Sequence, residues 1–230
     1  MTNQEYIETF FYRSLEKEIN ELMLDDYSYV LPMERLISYV KKVIEIPYSE
    51  FLYYIISFDY AQITTDDLTQ NSSFSAAEIE MCNVLIENDN PGYDFEEIGK
   101  LFPHYCSSQT PYALKKYGEN QVKTSKQLGL TFSYYNSWYL SCFGYVYQTL
   151  SQEERNAFIA RSILRDNLYG TIVRDIIDKT VTLNNYLKPL SDSTIKRRSP
   201  GIIRILKFAI NAAKAENISL HEIIRILPSR

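Results

Sequence analysis

The segment Ser191-Asp192-Ser193-Thr194-Ile195-Lys196-Arg197-Arg198-Ser199-Pro200-Gly201 is the most basic short stretch of a chain whose net charge is −5. Hydroxyls come first, three cations follow, and an apolar-periodic run then continues to Ala213. Clustered Lys and Arg neutralise phosphates, while hydroxyls at a helix start reach phosphate oxygens or base edges. On a helix unbroken from Ser193, the 3.6-residue period stacks Arg197, Arg204, Lys207, Asn211 and Lys214 on one side. Ile202, Leu206, Ala209, Ile210 and Ala213 then form a separate apolar face. That is the layout of a recognition helix, with Ser193, Thr194, Lys196 and Arg197 at its reading end. Pro200 allows a second geometry. With Ser199 as N-cap and Pro200 at the first helical position, Lys196, Arg197 and Arg198 become phosphate clamps in the turn before the helix. Both geometries leave the three cations pointing outward. A solvated basic helix end has the same composition.

A second group of cations, Lys115, Lys116, Lys123 and Lys126, surrounds Gly118. Lys116, Lys123 and Lys126 fall within about a quarter of a turn on a continuous helix. Asn120, Gln121 and Thr124 lie beside them, and Asn and Gln pair bidentately with adenine. These residues too fit a surface that touches DNA, or an ordinary exposed helix.

Other chemistries find less support. A metal-dependent nuclease needs carboxylates and a Lys converging on a cation. The nearest candidates are Asp94, Glu96, Glu97 and Lys100, but their spacing suits a helix N-terminus stabilised by negative charge. Three separated cysteines (Cys82, Cys106 and Cys142) and two histidines (His104 and His221) give no zinc-ligand spacing. His104-Tyr105-Cys106 brings two ligand types together without a second pair. With only 7 glycines, the chain holds neither a dinucleotide-binding nor a P-loop glycine pattern. No nucleophile elbow is present. We therefore expect no metal, no cofactor and no catalysis.

The elements that carry these residues read as mainly helical. Glu5–Leu24 has a helical apolar period, Pro32 opens a second helix, and Pro47 ends it. Tyr48–Phe58 is apolar all round and fits either helix or strand. Ser75 with Glu78 forms a capping-box pattern for a helix through Ile86. Asn88-Asp89-Asn90-Pro91-Gly92 marks a turn. Asp94 caps Phe95–Phe102, Pro111 opens Tyr112–Tyr117, and Gly118 interrupts before a helix from Asn120 to Leu128 that Gly129 closes. Two β-rich stretches, Leu130–Tyr135 and Trp138–Tyr147, flank Asn136-Ser137. Helices starting at Ser151 and Leu168, a short one over Thr182–Leu187, the basic helix and a last one over Ser219–Leu227 complete the chain.

Charge separates along the chain. Residues 1–100 carry 6 Lys+Arg against 20 Asp+Glu, residues 101–185 carry 9 against 6, and residues 186–230 carry 9 against 3. Attraction to nucleic acid therefore comes from the C-terminal end. The acidic part suits a protein partner or a second copy. The start, Met1-Thr2-Asn3-Gln4, lacks a signal-peptide pattern, and Phe51–Phe58 is too short to span a bilayer. A soluble cytoplasmic protein with no membrane contact is expected.

Tyr117-Gly118-Glu119-Asn120-Gln121-Val122-Lys123 leading to Leu128-Gly129-Leu130, and later Leu190-Ser191-Asp192-Ser193-Thr194-Ile195-Lys196-Arg197-Arg198, resemble winged helix-turn-helix modules that accompany bacterial restriction endonucleases and related defence proteins. The resemblance covers roughly residues 94–215. It implies that Lys123 and Lys126 in a first unit, and Ser193 to Arg198 in a second, face DNA. Pro200-Gly201 and Ile205-Leu206-Lys207-Phe208 depart from it, lacking the expected β-branched residue and Trp. The expected architecture is an acidic helical domain (1–90), a winged helix-turn-helix with a small β-ribbon wing (91–150), and a second helix-turn-helix unit with a basic C-terminal helix (151–230). The expected function is sequence-specific binding of double-stranded DNA, as recognition subunit or regulator of a restriction or defence system. A helical protein–protein scaffold and a metal-dependent nuclease are the alternatives.

Overall fold

A computed structural model describes residues 1–25, 31–68, 70, 80–102, 110–178, 181–220 and 224–225. In chain order the described elements are α1 (Asn3–Tyr12), α2 (Ser14–Asp25), α3 (Leu31–Glu45), α4 (Tyr48–Ser57), α5 (Met81–Glu87), α6 (Phe95–Leu101), α7 (Pro111–Gln127), β1 (Thr131–Tyr134), β2 (Ser137–Leu140), α8 (Cys142–Thr149), α9 (Gln152–Ser162), α10 (Asn167–Asp178), β3 (Val181–Thr182), α11 (Asn184–Leu187), α12 (Asp192–Ala215) and β4 (Ile224–Arg225). The protein is mainly α. Contacts divide it into two compact units of interleaved segments. The first unit holds Met1–Tyr12, Lys41–Gln70 and Gln152–Arg230; the second holds Arg13–Val40 and Asn71–Ser151. Residues 1–90 thus contribute to both.

The first unit is built around aromatic rings. Tyr48, Phe51, Leu52 and Ile55 are buried, and their i, i+3, i+4, i+7 spacing resolves the ambiguous apolar stretch into a helix, α4. Phe10 of α1 meets Phe51 and Phe158 edge-on, each with ring centroids 6.2 Å apart. Pro47 ends α3 but supplies no side-chain cap to α4. The Glu216 carboxylate takes that role, accepting from the backbone amides of Tyr48 and Ser49. Negative charge there also suits the helix dipole. The buried phenol of Tyr48 and the half-buried one of Tyr60 donate to the carbonyls of Ala160 and Leu164, at 3.3 and 2.6 Å.

Four expectations from the sequence change. The helix expected from Glu5 to Leu24 is broken at Arg13, whose φ of 55° stops α1 before α2 begins. Gly118 does not interrupt a helix: α7 runs through it without a turn. The reason is packing. Gly118 lies against Phe95 and Gly99 against Leu114, so two side-chain-free positions let α6 and α7 cross at backbone contact. The second β-rich stretch stops at Leu140 instead of Tyr147. Ser141 caps α8, accepting from the Gly144 amide at 3.0 Å while donating to the Gly129 carbonyl at 2.8 Å. Finally, Ser219 and Leu220 are not helical, and Ile224–Arg225 pairs in parallel with Val181–Thr182. Thr182 correspondingly lies in β3, ahead of α11.

Other local signals form as read. Asp94 accepts from the Glu97 amide and Glu97 from the Asp94 amide, both at 2.8 Å, closing a capping box. Gly129, at φ 78°, ends α7 in a Schellman motif, with Leu130 donating to Ser125 and Gly129 to Lys126, both at 2.9 Å. The hairpin turn falls one residue earlier than the sequence placed it: Tyr135 and Asn136, not Asn136 and Ser137, form it, both with positive φ in the pattern of a two-residue type I′ turn, and Ser137 begins β2. His104, Cys106, His221, Ser75 and Glu78 lie outside the described residues. Cys82 and Cys142 are buried and form no disulfide.

Two stability effects follow in the second unit. An exposed helix glycine gains about 1 kcal/mol on replacement by Ala. Gly118→Ala should instead destabilise by about 3 kcal/mol, because its Cβ would meet the Phe95 carbonyl and force α6 from α7. Urea unfolding reads the sign directly; a stabilised variant would refute the close crossing. Asn90, at φ 45°, accepts from the Leu140 amide at 2.8 Å and donates to the Tyr145 hydroxyl at 3.2 Å. Asn90→Ala loses both bonds and keeps a left-handed backbone that Ala tolerates poorly. A loss of about 2–4 kcal/mol is expected in the same measurement.

Candidate nucleic-acid interface

Of the two geometries open for the basic segment, the continuous one forms. Helix α12 runs from Asp192 to Ala215 with Pro200 inside it. Proline removes one amide donor, and the Ser199 hydroxyl is turned back onto the Ile195 carbonyl at 2.7 Å. At 100° per residue, Lys196, Arg197, Arg204, Lys207, Asn211 and Lys214 share an arc of about 100°. All six are exposed. The opposite side, with Ile202, Ile205, Leu206, Ala209 and Ala213, is buried. From Lys196 to Lys214 the arc runs about 27 Å at 1.5 Å per residue. Asp192 is the one acidic residue of α12 and stands in its first turn. Among the described residues, no ion pair engages Lys196, Arg197, Arg204 or Lys207.

Arg198 corrects the expectation that all three consecutive cations point outward. It lies about 100° beyond Arg197, and its guanidinium donates to the Leu68 carbonyl within the first unit. Its role is to hold a chain segment, not to clamp a phosphate. At the helix start, Ser193 is exposed and Thr194 half-buried. Their hydroxyls lie 3.2 and 3.0 Å from that of Ser191.

The cations of α7 are arranged differently. Lys115, Lys116 and Lys126 are exposed and Lys123 is partly so, but Glu119 sits in the middle of their stripe. Its carboxylate bonds Lys116 at 2.7 Å and Lys123 at 2.9 Å. Burial opposes ionisation of Glu119, yet hydrogen bonds from Lys116 and Lys123 prevail and hold its carboxyl below the usual range. The i, i+3 and i, i+4 spacing of these three residues was a visible sign of this pairing. The Lys126 ammonium lies 5.8 Å from the Trp138 ring centroid, and Lys123 at the same distance from that of Phe95. Gln121 and Thr124 correct the expectation of base readers. Both are buried, and the Thr124 hydroxyl donates to the Asn120 carbonyl at 2.8 Å. Asn120 is half-buried. The α7 group therefore offers Lys115 and Lys126 as outward cations not paired with a carboxylate.

The acidic group at α6 is occupied locally. Asp94 and Glu97 form the capping box, and Glu96 pairs with Lys100 at 2.8 Å. Among the described residues, no three His, Cys, Asp or Glu side chains gather as metal ligands would.

One feature of the first unit gave little sequence signal. Arg161 is 5% exposed, its guanidinium stacked near the rings of Tyr48 and Phe51 and donating to the Ile46 carbonyl at 2.6 Å. It borders a cavity of about 410 Å³ that Glu153, Asn211 and Glu216 also line. An Arg one turn past Ala157 in a mixed helix carries no mark of burial.

Compared with known proteins, the chain matches no family model, no curated protein and no solved structure. Among the described residues no helix is long and apolar enough to cross a membrane.

Proposed function

We propose that the chain is a non-catalytic protein that binds double-stranded DNA through the exposed arc of α12. Lys196, Arg197, Arg204, Lys207 and Lys214 contact phosphates, and Ser193 and Thr194 stand at the end that reaches base edges. In this reading α6, α7 and the β1–β2 hairpin serve as a winged unit, with Lys115 and Lys126 facing the duplex as long-range charge outside the five direct phosphate contacts. The helices from α9 to α12 serve as the second helix-turn-helix unit. The protein acts in the cytoplasm as recognition subunit or regulator of a restriction or defence system, with a protein partner or a second copy on its acidic surface. The observation that carries this reading is the 27 Å basic arc, of about that length by helix rise, whose exposed cations have their own apolar face buried behind them.

The test is binding to random-sequence duplex across a salt series. Five phosphate contacts give a slope of log affinity on log salt of about −4.5. No saturable duplex binding at about 50 mM salt removes the proposal. A scaffold that meets an acidic protein through the same arc predicts that polyglutamate binds as tightly as duplex, which the same titration measures.

A further inference from the structure

Helices α1 and α4, both in the first unit, enclose a groove of about 890 Å³. Four aromatic rings line it: Tyr12, Tyr53, Tyr54 and Phe58. Tyr12 is 69% exposed and Tyr53 80%. Such large aromatic rings facing solvent together need a reason. The ring of Phe58 lies 6.2 Å from that of Tyr12 and 5.8 Å from that of Tyr54, so these three rings form one continuous surface.

Three carboxylates, Glu8, Glu50 and Asp59, share the groove, and among the described residues no Lys or Arg lines it. Glu8 accepts from Gln4 at 2.9 Å and Glu50 from Asn3 at 3.0 Å. These neutral amides orient the acids without cancelling their charge. Burial, a hydrogen bond with Tyr12 and the nearby charge of Glu8 push the Tyr54 phenol up to about 12. The Tyr54 phenol therefore stays neutral at any physiological pH, and the rings present their negative π-faces beside the carboxylate oxygens.

We propose that this groove binds an arginine- or lysine-bearing peptide segment of a partner protein. A guanidinium or ammonium is the group that both surfaces attract: the ring faces by cation–π contact and the carboxylates by charge. The volume lies in the range of sites that enclose several groups rather than one. Three acids, Glu8 on α1, Glu50 on α4 and Asp59 two residues past the end of α4, match several cations spaced along a chain. An extended segment inserts its side chains singly between rings. The cations of a second copy's α12 instead lie on one convex helix face, which does not enter a groove in that way. This inference stands apart from the DNA reading, since it uses none of the residues of the basic arc.

The test is fluorescence anisotropy of a labelled (Arg-Gly)4 peptide titrated with the full chain at low salt, with (Glu-Gly)4 as the comparison. Saturable binding of the arginine peptide alone is expected, weakening with salt. Glu8→Gln combined with Asp59→Asn should lower affinity tenfold or more, and so should Tyr53→Ala, whose exposed ring can be removed without unfolding the helix. Arg204→Ala with Lys207→Ala should leave it unchanged. Circular dichroism confirms that each variant is folded. Absence of saturable binding, or equal binding by the groove variants, overturns the proposal. A concentration-dependent dimer that Arg204→Glu with Lys207→Glu abolishes assigns the groove to a second copy and overturns the separate partner.

Discussion

Replacing Arg197, Arg204 and Lys207 together with Ala is expected to flatten the salt dependence of duplex binding from a slope of about −4.5 to about −1.8, since each lost phosphate contact removes about 0.9. Between 50 and 200 mM salt the parent protein then loses about 500-fold in affinity and the variant about 12-fold. These three side chains suit the experiment because they are exposed and have no carboxylate partner among the described residues. Alanine is also the best helix former, so α12 itself is not weakened. Arg198→Ala is the contrasting control. Its guanidinium is spent on the Leu68 carbonyl, so the slope should stay near the parent value while thermal stability falls. An unchanged slope in the triple variant, or a changed one in the Arg198 variant, would show that the arc is an ordinary solvated surface.

The contrast between neighbouring residues 197 and 198 shows where sequence reading stops. Periodicity placed Arg197, Arg204, Lys207, Asn211 and Lys214 on one face, because a helix fixes relative angles whatever surrounds it. It also put Arg198 about 200° from Lys196, toward the packed side, yet adjacency in sequence made three cations look like one cluster. What Arg198 meets is Leu68, 130 residues away, and no local rule contains that contact. Gly118 failed for a related reason. A glycine inside a helical pattern reads equally well as a break or as a close crossing, and only the partner backbone at Phe95 decides. Capping signals did better, as at Asp94 and Gly129, since the residues that satisfy them lie within a few positions. The aromatic groove was scattered in the sequence: its residues come from two segments about 40 positions apart, and the acidic character of residues 1–100 was visible only as a total.

The high tyrosine content leads to the second large effect, a steep loss of stability in alkali. Tyr48 and Tyr60 are held as neutral phenols inside the first unit. Burial pushes each well above its ordinary value of 10.0, outweighing the opposing charges of Arg161 and Arg174. Both hydroxyls donate to backbone carbonyls, so ionisation would remove a donor and set an anion against a carbonyl oxygen. A folded-state pKa raised above the unfolded value means that the unfolded chain gives up protons first. The stabilisation is then complete below about pH 10 and is lost as pH climbs toward the folded-state values. Between pH 10 and 11 the unfolded phenols go from half to about nine-tenths ionised, so each costs about 1 kcal/mol and about 2 kcal/mol in all is expected to disappear, the slope approaching about 1.4 kcal/mol per unit for each phenol only above pH 11. Tyr186 acts in the same direction: partial burial and its hydrogen bond to Asp175, at 2.7 Å, raise it too. Arg161 acts in the other direction, since burial lowers its pKa from 12.5. Urea unfolding at pH 9, 10 and 11 reads the slope, and Tyr60→Phe should reduce the loss between pH 10 and 11 by about 1 kcal/mol because Phe has no proton to lose. If the Tyr60→Phe variant keeps the full parent slope, Tyr60 ionises as readily folded as unfolded, and the sealed aromatic core around Leu164 is not closed to water.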